Sequence, residues 1–311
     1  MSEAFRLRAL APAKVNLFLH VGAPEANGYH PLSSLVVFAD VGDGVTLEPA
    51  DAFALAVEGP FSAELRDEPD NLIARAARAF AGAAGLETIP ARIRLDKHLP
   101  IASGVGGGSA DAGAALRLLR AALAPELSDA ELVAAAAGLG ADGPMCLVSR
   151  PALAAGYGER LGPSPVLPEI HAVLVNPRAP SPTGPVYRAY DAAGAPGGAE
   201  TPELPAEVAD AAALAAVLAR TRNDLQAPAV ALAPAIGAVL ETLEAAPETL
   251  FARMSGSGAT CFALCRERDE AAALAARLAR AHAGWWVRPC RLGGAWPEAT
   301  PLGVHGEVNA T

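Results

Sequence analysis

Residues Leu99 to Leu116 run Leu-Pro-Ile-Ala-Ser-Gly-Val-Gly-Gly-Gly-Ser-Ala-Asp-Ala-Gly-Ala-Ala-Leu: a Pro-led apolar approach, a glycine cluster, then an Ala/Leu-rich run with helical character. Gly104, Gly106, Gly107 and Gly108 can adopt backbone torsions closed to other residues. Successive N–H groups can therefore turn towards an anion, and a helix starting near Ser109 adds its positive end. The segment Pro100, Ile101, Ala102, Ser103, Gly104, Val105, Gly106, Gly107, Gly108, Ser109 and Ala110 reads as a cradle for the phosphates of a nucleoside triphosphate, with hydroxyl contacts from Ser103 or Ser109. No Lys follows the glycines, so the Walker pattern fails, and Ser109 stands where a dinucleotide or protein-kinase loop would place its third Gly. Taken alone, the cluster is equally compatible with a flexible surface loop before an ordinary helix.

At 311 residues the chain can bury a large core, and it is expected to divide into two lobes, 1–165 and 166–292, with a weakly ordered tail over 293–311. Apolar stretches are too short to span a bilayer. Arg6, Arg8 and Lys14 interrupt what would be the apolar core of a secretory signal, which predicts a cytoplasmic protein. Cys146, Cys261, Cys265 and Cys290 show neither a C-x-x-C pair nor a nearby His at ligand spacing, so they read as buried small hydrophobes rather than a metal or disulfide framework. A net charge of -10 argues against nucleic acid or an anionic membrane as partner and leaves a small molecule. Of 24 Lys and Arg, only Lys14 and Lys97 are lysine, and both lie beside motif-like segments.

Strands are predicted over Phe5–Val21 (a strand pair, or one strand broken at Pro12), Ser34–Leu47, Ala52–Val57, Ala91–Leu95, Met145–Val148, His171–Val175, two around a Ser-Gly-Ser-Gly turn within Phe251–Cys265, and Trp285–Leu292. Helices are predicted over Asn71–Ala84 with Gly85 as stop, from the capping box of Ser128 and Glu131 to Gly138, and over Ala206–Ala219, Ala229–Glu244 and Glu270–Ala281. Gly140 to Pro144 is a turn that holds Asp142, turns surround Leu161–Pro168, and Asp191–Pro205 is a surface loop.

Four segments in this order resemble the superfamily of galactokinase, homoserine kinase, mevalonate kinase and phosphomevalonate kinase: Pro12-Ala13-Lys14-Val15-Asn16-Leu17, the glycine loop, Gly140-Ala141-Asp142, and Met254-Ser255-Gly256-Ser257-Gly258-Ala259. Lys14 to Leu19, Gly28-Tyr29-His30 and Asn223-Asp224-Leu225 resemble its branch acting on a diphosphocytidyl substrate. The resemblance covers most of residues 8 to 290. It implies a two-lobed α+β fold with the active site in the cleft, ATP as donor, and Mg2+ carried mainly on the ATP phosphates. The implied reaction moves the γ-phosphoryl group to the C2 hydroxyl of 4-diphosphocytidyl-2-C-methyl-D-erythritol in the non-mevalonate isoprenoid route. Departures are Asn27 where Asp often stands, Ala110 for a second Ser, and Gly143 for a larger apolar residue.

On this resemblance Asp142 is the base for the substrate hydroxyl, and Lys14 is the cation that holds it ionised and steadies phosphate charge; an ordinary salt bridge is the plainer reading. Lys97 neutralises phosphate or lines the nucleotide pocket, or is a solvated charge at a strand end. Asn71 lies near adenine or caps a helix. Tyr29 stacks on cytosine and His30 offers a ring nitrogen to its edge, or the pair is a turn with a half-buried ring. Asn16 holds the substrate's hydroxyls or diphosphate, and Tyr187 forms the other face of the base sandwich. Ser255 to Ala259 is a second glycine turn supporting the first or touching substrate, and Asp224 is a turn carboxylate. Two other readings remain: a related kinase for mevalonate, homoserine or a sugar, and a catalytically silent ATP-binding regulator.

Overall fold

The computed structural model describes residues 5–65, 70–194, 197–294 and 299–301. In chain order the elements are β1 (Leu7–Asn16), β2 (His20–Val21), β3 (Leu32–Pro49), β4 (Ala54–Glu58), α1 (Leu72–Ala84), β5 (Ala91–Asp96), α2 (Gly107–Leu123), α3 (Asp129–Ala137) and α4 (Gly143–Val148). There follow β6 (Ala152–Gly156), β7 (Arg160–Pro163), β8 (Ile170–Asn176), α5 (Thr183–Ala192), α6 (Ala211–Leu218), α7 (Gln226–Leu232) and α8 (Pro234–Glu244). The chain closes with β9 (Phe251–Met254), β10 (Cys261–Cys265), α9 (Arg268–Ala281), β11 (Trp286–Leu292) and β12 (Thr300–Pro301).

The long strand β3 organises the molecule. Its Leu32–Ala39 half is nearly continuous in apolar residues and buried on both faces, whereas Val45 and Leu47 alternate with less buried neighbours. It pairs antiparallel with β1, β2, β5 and β6, and through Ala39 with Leu292 of β11. That last contact joins the N-terminal strands to a second antiparallel set in the order β11-β8-β10-β9. Phe38, Ile93, Phe80, Leu116 and Leu119 build a core between the first strands and α1, α2 and α3. Val173, Val175, Leu240, Leu243 and Leu274 build one beneath the second set, and Leu17, Phe18, Phe262 and Leu264 share a third cluster with Leu292.

Local chemistry explains most boundaries. Asn71 caps α1 by accepting from Ile73 N at 2.9 Å, and Gly85 ends the helix in the left-handed conformation. The capping box is present: Ser128 Oγ accepts from Glu131 N, and Glu131 accepts from Ser128 N at 3.0 Å. β1 shifts register between Pro12 and Lys14, the irregularity expected at the proline.

Several expectations are corrected. Met145–Val148 is not a strand but most of α4, because Pro144 suits a first turn and Cys146 N bonds the backbone O of Asp142 at 3.0 Å, while the Asp142 side chain is left free of any capping bond. The helix expected over Ala229–Glu244 is split: Ala233, preceding Pro234, sits at φ -135° and ψ 84°, outside the helical region that a following proline disfavours. α6 starts at Ala211 rather than Ala206 because Asp210 caps it through Ala213 N, while Val208 N bonds Val166 O. Arg160–Pro163, expected in turns, pairs with β6, and α5 occupies the start of what was expected as loop. Within the tail, Thr300 and Pro301 pair with Arg8 and Leu7; residues 295–298 and 302–311 lie outside the described residues. All four cysteines are free and buried, and no described helix is long and apolar enough to cross a membrane.

Candidate active site

The glycine loop closes into α2 two residues earlier than expected, at Gly107, with Gly106 as cap at φ +63°. Ala110 N is the first to bond back, to Gly106 O at 2.9 Å. The N–H groups of Gly107, Gly108 and Ser109 thus precede the helical ladder, at the positive end of a 17-residue helix. Ser103 spends its hydroxyl proton on Pro100 O at 2.6 Å, whereas Ser109 lines the cavity.

The second glycine turn buttresses the first. Thr260 N donates to Ser103 O at 3.0 Å, and Ser255 Oγ donates to Gly104 O at 3.1 Å. The two turns are so close that a Cβ on Gly104 would lie 2.5 Å from Ser255 O. Asn223 ties the second turn down by donating to Met254 O and Gly256 O. Asp224, as expected of a turn carboxylate, accepts from Val21 N and pairs with Arg222.

Lys14 leaves β1 just after the register shift, its N–H held by Val105 O and its stem against Gly106. Its Nζ lies 3.0 Å from Asp142 Oδ2. Asp142 is placed from the other side by α4, which crosses α2 where Gly113 permits contact with Cys146 O. Arg117 of α2 donates to Cys146 O and Leu147 O and secures the far end of α4.

One cavity of about 870 Å³ brings these parts together. Lys14, Asn16, Tyr29, His30, Ala102, Ser103, Gly104, Gly106, Gly107, Gly108, Ser109, Asp142 and Tyr187 all line it. Its size is that of a small-molecule site. Asn16 donates to Ser34 Oγ at 2.7 Å, while its Oδ1 is buried without a partner, an acceptor available to a hydroxyl. Tyr187 packs on His30 with centroids 4.9 Å apart, and burial, followed by the charge of Asp142, pushes its phenol up to about 12. His30 differs from expectation: Nδ1 faces Gly22 O at 3.0 Å and Nε2 faces Asp191 at 3.4 Å, so both ring nitrogens already have protein neighbours.

A second cavity, about 200 Å³, is lined by Asn71, Lys97, Pro100, Ile101, Ala102, Gly107, Gly108 and Asp111. Asn71 is both helix cap and wall. Lys97 is not a solvated strand-end charge: it is almost wholly buried, bonding Asp43 at 2.6 Å and Asp111 at 2.7 Å. Burial opposes its charge, but the two carboxylates outweigh that and hold its pKa above the ordinary lysine value. Val105 and Ala110 are fully buried and line neither cavity, so their side chains serve the core. Sequence reasoning missed Asp43 and Asp111, and it missed Tyr157, Arg188 and Asp191 on the wall of the larger cavity. The lone pair of lysines signalled Lys97, but its partners lie 54 and 14 residues away and carry no motif of their own.

The chain is similar over about nine-tenths of its length to proteins of one kind. It is 60% identical over 291 residues to the 4-diphosphocytidyl-2-C-methyl-D-erythritol kinase of Caulobacter vibrioides, covering 93% of this chain and 99% of that one. Identity to the Hyphomonas neptunium kinase of the same name is 51%, over 93% and 97% of the two chains. The chain belongs to the 4-diphosphocytidyl-2-C-methyl-D-erythritol kinase family. GHMP kinases N terminal domain matches residues 71–150 and GHMP kinases C terminal matches 204–284. A crystal structure of 4-(cytidine 5'-diphospho)-2C-methyl-D-erythritol kinase superposes with a TM-score of 0.75 at 36% identity, covering 92% of this chain and 99% of that chain. A homoserine kinase from Cytophaga hutchinsonii, at 18% identity and a TM-score of 0.68 over 97% and 98% of the two chains, shares the fold. The α+β architecture implied by the resemblance is the one found.

Proposed function

We propose that the protein transfers the γ-phosphoryl group of ATP to the C2 hydroxyl of 4-diphosphocytidyl-2-C-methyl-D-erythritol, giving the 2-phosphate and ADP in the non-mevalonate isoprenoid route. The observation that carries this reading is the single cavity shared by the phosphate loop, the Lys14–Asp142 pair and the Tyr29, His30 and Tyr187 rings. Phosphoryl transfer asks mainly for positioning and charge stabilisation, which a helix N-terminus, an ammonium and a carboxylate supply.

In this reading the N–H groups at the start of α2 hold the donor's phosphates, and Asn16 Oδ1 orients a substrate hydroxyl. Asp142 accepts the C2 hydroxyl proton as the new O–P bond forms and the bond to the β-phosphate oxygen breaks. The electron pair leaves with ADP, and Asp142 releases its proton to solvent. Lys14 engages one carboxylate oxygen and faces the transferring group. Tyr29 and Tyr187 flank the base.

Mg2+ arrives in this reading on the triphosphate that the loop at the start of α2 would hold. Ser109, which lines the cavity at the start of α2, is the side-chain oxygen that would meet it there, and the chemistry the ion would supply is neutralisation of phosphate charge.

The test is ADP release with magnesium ATP and the cytidyl substrate beside mevalonate, homoserine and galactose. Turnover confined to the cytidyl substrate is expected. Reaction with another alcohol alone would keep the catalytic pair and remove the base-recognition argument; none with any would favour the silent regulator.

A further inference from the structure

Tyr29 is 65% exposed, an unusual position for an aromatic ring asked to flank a base. Its own turn is short: Gly28 N donates to Glu25 O, Glu25 N to Tyr29 O, and Tyr29 N to Asn27 Oδ1 at 2.9 Å. The turn's support from outside comes from Tyr157, on the connection between β6 and β7. The Tyr157 hydroxyl donates to the Glu25 carboxylate and accepts from Asn27 Nδ2 at 2.7 Å, while its ring lies 5.4 Å from that of Tyr29. The same connection reaches the catalytic turn, because a Cβ on Gly158 would lie 3.6 Å from Met145 and 3.9 Å from Ala141.

Hydrogen-bond polarity explains the residue at position 27. Asn27 uses its carbonyl oxygen for Tyr29 N and its amide for the Tyr157 oxygen. An Asp there could still accept from Tyr29 N, but it has no proton to give, and it would compete with Glu25 for the single phenol proton while repelling it. Asn27 and Tyr157 are therefore chemically matched.

We infer that Tyr157, paired with Asn27, is a specificity-determining positioning residue that holds Tyr29 over the cavity mouth for a cytidine diphosphate moiety. This rests on the proposed substrate. The clasp fixes an exposed ring in advance of binding, so the substrate does not have to order it.

The experiment compares wild type, Tyr157→Phe, Asn27→Asp and the double variant by steady-state kinetics, with CDP titrated calorimetrically as probe. Tyr157→Phe keeps the ring and loses both hydrogen bonds, so the cytidyl substrate's KM and the CDP Kd should rise about three- to tenfold. The KM for ATP and the thermal midpoint should not move, and kcat should change little. Asn27→Asp should raise the same constants, and less so when Tyr157 is already Phe. Equal CDP binding by wild type and Tyr157→Phe overturns the clasp, as does a rise in both KM values with a lowered thermal midpoint. If wild type does not bind CDP, the substrate reading itself fails and takes the clasp with it.

Discussion

The Lys14 ammonium and the Asp142 carboxylate meet at 3.0 Å, the first almost buried at 8% side-chain exposure and the second open to the cavity at 36%. The lysine is fixed by β1 and the glycine loop, the aspartate by α4. The pair therefore registers one support against the other on the wall of the larger cavity.

Asp142→Asn keeps the shape and removes the proton acceptor. It should lower kcat about 10²- to 10⁴-fold while ATP affinity stays within about threefold. Rapid-quench turnover beside a nucleotide titration checks this, and turnover near wild type would reject the base role.

Two glycines of one loop should respond oppositely to alanine. At Gly104 the backbone is at φ +75° and the new Cβ meets Ser255 O at 2.5 Å, so Gly104→Ala must push the two glycine turns apart. The left-handed conformation alone costs about 1–2 kcal/mol, and the ATP KM should rise with the loss. Gly108 is helical and its Cβ would meet only the Leu72 Cδ1 end at 3.0 Å, so Gly108→Ala should fold normally. Paired thermal melts and ATP titrations would expose any failure of this ordering.

Gly143, where a larger apolar residue was expected, has no room for one. A Cβ there would sit 2.0 Å from Ala136 O. Gly143→Ala should displace α4 and with it Asp142, lowering both thermal midpoint and kcat; a variant matching wild type in both would show that α3 yields without moving the site.

Burial pushes the Asp111 carboxyl up to about 8, with Lys97 pulling it down and Asp43 raising it further. Folded protein then binds more protons here than unfolded chain between pH 3.8 and about 8. This group therefore makes stability fall as pH rises through that window, the reverse of an ordinary ion-paired aspartate. Asp111→Asn should flatten the slope while leaving Lys97 paired with Asp43. Denaturant melts across the window check it, and an unchanged slope would place the proton elsewhere.

Much of the local structure around the candidate site was legible because its signals are local. The glycines, the capping box at Ser128 and the cap at Asn71 act within a few residues, and each announced the helix that follows it, α2 starting two residues early. Met145–Val148 failed because four apolar residues suit helix and strand alike, and the deciding signal, Pro144 at the first turn, had been read as part of a turn. Pro234 was visible, but the apolar period on both sides of it masked the break. Asp43, Asp111 and Tyr157 act across 54, 14 and more than 100 residues, at distances where only the folded backbone brings partners together. His30 was read for its ring chemistry, and tertiary neighbours Gly22 and Asp191 claimed both nitrogens.

The four buried thiols make the chain its own opening clock. Burial drives each of them away from the reactive thiolate, so a thiol reagent labels only after a segment has parted. Cys146 lies in α4 beneath Asp142, whereas Cys261, Cys265 and Cys290 lie in β10 and β11. Labelling resolved by peptide would time the breathing of α4 separately from that of the far sheet, without a single substitution.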